Sequence, residues 1–236
     1  MNNWNDYALQ WEADQSWVVV EDRRVLAANK PGYLECLGHE WGTKESVDQI
    51  VREFILPYTG TKKVIVEIGS GGGRIAHRVA PHVSHLICID VERDMLRLCR
   101  AALSHAANVT CLLISKSSCI PLISDSVDLV YSFDTMVHLD ERTIFRYMQE
   151  TRRVVHRGGI LMLHVATHET TKGWEHFEDS VTRGVNRGQF GSFEYLDSHA
   201  VMRMAEHAGF SVVKRSIEGE GNFYYDRDGL FVLRRR

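Results

Sequence analysis

Proline is scarce in this chain, four among 236 residues, and nowhere gathers with glycine or serine into a linker that would divide domains. No apolar run approaches the roughly 20 residues that span a bilayer. The N-terminal stretch is polar and aromatic, with no signal-peptide pattern, so a soluble cytoplasmic protein away from membranes is expected. Basic charge is in no excess: 28 Lys and Arg stand against 31 Asp and Glu, a net charge of −3, so no basic field advertises nucleic acid as a partner. The run Arg234–Arg236 reads as a solvated end. Five cysteines contain no C-x-x-C pair, which leaves out the familiar zinc and redox spacings. Cys88 and Cys111 fall in predicted strands and Cys99 on an apolar helix face, so they read as small buried hydrophobes in a reducing compartment. With 44% hydrophobic and 25% charged residues, the chain has ample material for a core.

What is present centres on Val64-Ile65-Val66-Glu67-Ile68-Gly69-Ser70-Gly71-Gly72-Gly73-Arg74. Three β-branched residues, a glycine cluster and then Ile75–Ala80 read as strand, tight turn and helix. Glycines let the main chain approach a ligand closely, and a helix N-terminus offers unpaired N–H groups. Such a turn at the carboxyl edge of an open α/β sheet is a nucleotide-type site. The G-x-G-x-x-G dinucleotide fingerprint fails from Gly69, where its third glycine would be Arg74, and fits from Gly71 only with Ala76 in last place. No G-K-[ST] follows, so a phosphate loop is excluded. Acidic-x-G-x-G-x-G does fit, as Glu67, Gly69, Gly71 and Gly73.

That pattern resembles the first motif of the class I S-adenosylmethionine (SAM) dependent methyltransferases, and three later stretches extend the resemblance. Leu86-Ile87-Cys88-Ile89 ends in Asp90 and runs into Val91–Leu96, similar to the second strand and the helix that follows it. Ile120–Val130 resembles the family's approach to its fourth strand, and Arg153–Leu161 the approach to its fifth. The resemblance covers about residues 64–165. It implies SAM as cofactor, held by Glu67, Gly69, Ser70, Gly71, Asp90, Val91, Met95, Lys116, Ser117 and Phe133. Asp90 would accept from the ribose hydroxyls, Met95 would flank the adenine and Glu67 would lie near the methionine portion. One departure stands out: the family usually places an Asp where this chain has Lys116, and a lysine cannot accept from the adenine amine. Ser117 or nearby backbone would take over that contact.

The implied fold is a doubly wound, mostly parallel seven-stranded Rossmann-like sheet with an antiparallel last strand. The alternation agrees with it: strands at 64–68, 86–90, 109–114, 127–132 and 160–165, helices at 74–80, 93–106, 140–156 and 198–208, and a closing pair near 211–217 and 229–234. Residues 1–57 read as an N-terminal cap or lid with a leading helix, and 58–236 as the methyltransferase domain. In the first part, Trp17–Val20 suggests a short apolar element, Asn29–Gly32 a turn and His39–Gly42 either a plug or a lid. Ser46–Gln49 reads as a capping box for a helix that Pro57 ends. Between 166 and 197 the alternation fails, and so long a connection reads as a lid that chooses the substrate.

Methyl transfer from an activated donor asks the protein mainly for alignment and, where needed, a proton acceptor. His138, in the loop after the fourth strand, is the candidate base, being the one side chain there that titrates near neutrality. Asp134, His138, His168, Trp174 and Tyr195 are the candidate substrate contacts. His164 and His168 stand four apart but straddle a strand end, so no metal site is expected from them. A small-molecule O- or N-methyltransferase is the leading expectation. RNA or protein acceptors, a non-catalytic SAM-binding regulator and a nicotinamide oxidoreductase are the alternatives.

Overall fold

The computed structural model describes residues 33–38, 42–115, 118–185, 192–216 and 218–236. The readings at Trp17–Val20, Asn29–Gly32 and His39–Trp41, and the cofactor candidates Lys116 and Ser117, fall outside them. The chain forms two compact units, 3–115 and 116–236. Within the first unit the strands follow the order β3-β2-β1, and within the second β4-β5-β7-β6.

In the first unit, α1 (Tyr33–Cys36) is followed by α2 (Lys44–Ile50), β1 (Gly60–Ile68), α3 (Ala76–Val79), β2 (Val83–Asp90), α4 (Arg93–Ala102) and β3 (Val109–Leu113). β2 lies parallel to both β1 and β3. Ile65, Val66, Ile68, Leu86 and Ile89 are all buried, as expected of parallel strands covered on both faces. The cap of α2 differs from expectation. Thr43 is the N-cap, and its hydroxyl accepts from Ser46 N at 3.2 Å. Ser46 is therefore already inside the helix and no Ser46–Gln49 capping box forms. The apolar set Val47, Ile50, Val51, Phe54 and Ile55 is buried as its spacing predicts. It does so through a π-turn at Val51–Ile55 and a 3₁₀ turn at Leu56–Tyr58 holding Pro57.

In the second unit, β4 (Val127–Ser132), α5 (Glu141–Val154), β5 (Val155–Ala166), α6 (Thr171–Thr182), α7 (Ser198–His207), β6 (Phe210–Arg215), α8 (Phe223–Arg227) and β7 (Asp228–Arg235) follow in order. β4 and β5 are parallel, and β7 lies antiparallel to both β5 and β6. The antiparallel last strand is thus present, inserted between its two neighbours. The stretch 166–197 contains a regular element that apolar periodicity did not reveal, the 12-residue α6. Thr170 caps it, its Oγ1 accepting from Gly173 N at 3.2 Å. Gly173 lets the first turn settle onto main chain, since a Cβ there would lie 2.2 Å from the Thr167 carbonyl oxygen and 2.6 Å from that of Arg227.

No helix among the described residues is long and apolar enough to cross a membrane.

Candidate active site

The glycine loop after β1 is built from main chain. Its amides fold back on the second strand, with Gly69 N donating to the Ile89 carbonyl at 2.8 Å. Asp90 closes the turn. Its Oδ2 accepts from Gly71 N at 2.9 Å and its Oδ1 from Glu92 N at 2.9 Å. Burial pushes the Asp90 carboxyl up, against the lowering pull of the Glu92, Gly71 and Val91 amides. The predicted ribose acceptor is therefore also the clasp that holds the loop, which the motif did not announce. Two carboxylate oxygens offer about four lone-pair sites, so capacity remains for a ligand hydroxyl.

Gly71 sits at φ +50°, a backbone conformation that L side chains rarely adopt. Gly72 is needed for a different reason: a Cβ there would lie 2.4 Å from Tyr33 Oη and 2.9 Å from Leu37 Cδ2, so the segment 33–37 packs directly onto the loop. These residues suit a nucleotide-like ligand. Ser70 Oγ is buried without a hydrogen-bond partner and has capacity to give. Val91, 45% exposed, leaves apolar surface at the end of β2, and Met95 brings its Cε toward Gly71. Glu67 is buried, and its Oε2 accepts from Cys88 Sγ at 3.8 Å.

The second unit gathers side chains instead. His138 Nδ1 lies 2.8 Å from the Ser192 carbonyl oxygen. A carbonyl only accepts, so Nδ1 carries the proton and the basic lone pair of the neutral ring is on Nε2. Burial lowers the His138 pKa, helped by the nearby positive groups His164 and Arg227, while the Ser192 carbonyl and Asp134 pull the other way. The ring is accordingly neutral near pH 7. Its face meets Phe193 edge-on, with centroids 5.3 Å apart. Glu194 N donates to the Val137 carbonyl at 2.8 Å and Leu196 N to that of Ala166 at 2.9 Å, which sews segment 192–196 to the loop after β4 and to the end of β5.

An aromatic cluster continues from there. Phe193 lies 6.3 Å from Tyr195 and 4.7 Å from His176, and Tyr195 meets Phe177 edge-on at 5.2 Å. Phe177 in turn lies 5.4 Å from Trp174, and His168 lies 6.3 Å from both Trp174 and Tyr195. His176 Nδ1 and the Tyr195 hydroxyl are 2.7 Å apart. The fold thus brings His138, His168, Trp174 and Tyr195, chosen separately along the sequence, into one chain of contacts. Trp174 keeps 47% of its surface open.

Beneath this cluster lies a group that sequence reasoning missed. His164 is fully buried, with Nδ1 3.3 Å from Asp134 Oδ1 and Nε2 3.0 Å from Asp228 Oδ2. The latter approach is short but off the donor direction, so it acts as an ion pair more than as a directed hydrogen bond. Arg227 donates to the same Asp228 oxygen from Nε at 2.8 Å and from Nη2 at 2.6 Å. Burial opposes a charge on His164, yet Asp228 and Asp134 overcome it and raise its pKa. The Asp134 amide donates to Nδ1 at 3.1 Å, so in this geometry that nitrogen accepts and the ring's proton sits on Nε2, facing Asp228. Phe133, expected at the cofactor, stacks flat on His164 at 4.7 Å. Asp134 holds φ +54°, and its Oδ2 accepts from Tyr224 Oη at 3.3 Å. The available signal was a histidine inside the apolar run Ile160–Val165, where an ionisable side chain needs partners. Behind Asp228 a cavity of about 170 Å³ opens among Thr167, Glu169, Leu196, Arg215 and Tyr225.

Residues 65–159 match the family described as a methyltransferase domain. No curated protein matches the chain. Among solved structures, magnesium protoporphyrin IX methyltransferase from Synechocystis with bound SAH shares 14% identity at a TM-score of 0.66, over 98% of this chain and 94% of that one. A SAM-dependent methyltransferase from Mesorhizobium loti shares 15% identity at a TM-score of 0.64, over 80% of this chain and 98% of that one. A Haloferax volcanii protein solved with the Trm112 methyltransferase activator shares 14% identity at 0.63, over 80% of this chain and 90% of that one. At such identities the likeness is one of fold.

Proposed function

We propose, for a chain that carries a class I SAM-dependent methyltransferase domain, transfer of the methyl group to an oxygen or nitrogen atom of a small molecule. SAM, when bound, supplies a methyl carbon already activated by its sulfonium. Around it Glu67, the 69–71 backbone, Ser70, Asp90, Val91 and Met95 bind and orient, with Lys116, Ser117 and Phe133 proposed alongside. Asp90 acts twice, accepting from ribose hydroxyls and keeping the glycine loop in shape.

In the second unit, His138 takes the acceptor's proton at Nε2 while its Nδ1–H stays on the Ser192 carbonyl, so the ring is oriented before the acceptor arrives. That fixed tautomer is the observation that carries the reading. The aromatic wall of Trp174, Phe177, Phe193 and Tyr195 excludes water and offers flat apolar faces, which suits a small aromatic or heteroaromatic acceptor. Asp134 and His168 orient its polar groups.

A screen of hydroxyl- and amine-bearing small molecules with radiolabelled SAM tests the proposal. His138→Ala should lower turnover by about 10²–10⁴ while SAM affinity, measured by calorimetry, stays within a few fold. Full turnover in that variant removes the base, and label transferred only to RNA or protein removes the small-molecule acceptor.

A further inference from the structure

Three cysteines that no spacing in the sequence joined meet below the glycine loop. Cys88 on β2 stands in register with Cys111 on β3 and with Glu67 on β1, so all three side chains leave one face of the sheet. Helix α4 covers that face and brings Cys99 Sγ to 3.7 Å from Cys111 Sγ. The three sulfurs all lie within 4.8 Å of one another. Cys88 and Cys99 are buried and Cys111 is half-buried, so the group is closed toward the core and reachable at Cys111. A Cβ on Gly73 would stand 3.5 Å from Cys99 Sγ, which sets the cluster directly under the loop.

The Cys99–Cys111 separation matches a coordination shell, and the third sulfur, within 4.8 Å of both, stands near one. Thiolate bonds of about 2.3 Å around a tetrahedral zinc put the sulfurs about 3.8 Å apart, and a carboxylate oxygen at about 2.0 Å falls about 3.5 Å from each sulfur. Glu67 Oε2 lies 3.8 Å from Cys88 Sγ. The three sulfurs form the compact set, and Glu67, beside Cys88, would swing toward the other two to complete the shell. We propose that Cys88, Cys99, Cys111 and Glu67 bind one Zn²⁺ or a comparable soft d¹⁰ cation, pinning β1, β2, β3 and α4 together. Three metal–sulfur bonds and one metal–oxygen bond form, the thiol protons pass to solvent and no electron moves. Arg100, whose Nη2 donates to the Cys111 carbonyl at 3.0 Å, offsets part of the negative charge.

The thiolate set stands apart from the cofactor reading; only Glu67 is shared. The test is a Cd²⁺ titration of the reduced, SAM-free full chain, following the ultraviolet thiolate-to-metal charge-transfer band and the metal retained after gel filtration. One ion per chain is expected, with Zn²⁺ protecting three thiols from a disulfide reagent. Cys99→Ser and Cys111→Ser, their folds checked by circular dichroism, should each weaken binding about tenfold or more, and Cys119→Ser, an exposed thiol outside the cluster, should not. No band in the reduced wild-type chain, or an undiminished band in the Cys99→Ser/Cys111→Ser double variant, overturns the site. SAM calorimetry on the metal-free chain is read separately, so failure of the cofactor reading leaves the metal result standing.

Discussion

The two units build their candidate sites in opposite ways. In unit 3–115 the candidate elements are main-chain amides on a glycine loop, clasped by one carboxylate that accepts from Gly71 N and Glu92 N. In unit 116–236 they are side chains drawn from separate segments: Asp134 and His138 after β4, His164 inside β5, Phe193 and Tyr195 before α7, Tyr224 and Arg227 on α8, and Asp228 at the start of β7. A main-chain site depends on local backbone geometry and is lost when one residue cannot adopt it. A side-chain site depends on long-range assembly and is lost when its charge balance fails.

The sharpest way to break the contrast is Gly71→Val. Positive φ at a β-branched residue costs about 1–3 kcal/mol, which the unit should survive. SAM binding should nevertheless fall at least about 100-fold by calorimetry, because the loop amides no longer reach their positions. A folded variant that binds normally would place the cofactor elsewhere. Asp228→Ala should do the reverse. It leaves Arg227 and His164 buried without their shared counter-charge, and loss of one partner from such a pair costs about 3–5 kcal/mol. Urea unfolding would register that as a lower midpoint, and an unchanged midpoint would mean that the network contributes nothing.

A smaller effect sharpens the same point. Burial resists a charge on His164, yet Asp228 and Asp134 raise it above the ordinary histidine value. A raised folded-state pKa contributes stability that is fully present below about pH 6.5 and is lost as pH rises through the folded value. Stability should therefore fall on going from mildly acidic to mildly alkaline pH, by up to about 1.4 kcal/mol per pH unit. His164→Gln should flatten that slope. A wild-type slope of the opposite sign would show that His164 is held neutral.

The same contrast explains what could be read from the chain. The strand–glycine–strand–acid pattern at Val64–Asp90 is contiguous, so its spacing carries its geometry, and the parallel crossovers followed from the alternation around it. His138, His168, Trp174 and Tyr195 could be nominated one by one from position, but nothing in their spacing said that they touch. Arg227 and Asp228 lie more than 60 residues beyond His164, and only the antiparallel pairing of β7 with β5 sets Ala166 opposite Asp228. Cys88, Cys99 and Cys111 stayed unjoined for a related reason: strand register, not sequence interval, brings two of them together. Helix α6 was hidden because its first-turn glycine and weakly apolar face give little periodicity, while its real anchors are the Thr170 cap and the main chain under Gly173.

The position of β7 has a kinetic consequence. It lies between β5 and β6, and Asp228 at its start neutralises both His164 and Arg227. Until β7 docks, β5 has β4 alone beside it, β6 lacks its pairing with β7, and His164 lacks Asp228. Pairing His164 with Leu230 closes a loop of more than 60 residues, whereas Glu67 and Cys88 in the first unit are only 21 apart. Loop closure over the longer span is slower, and the contacts that reward it arrive only at the end. The unit that holds the charge network is therefore expected to be the slower to fold, and the docking of β7, which brings Asp228 to His164, is the step that raises the histidine's basicity.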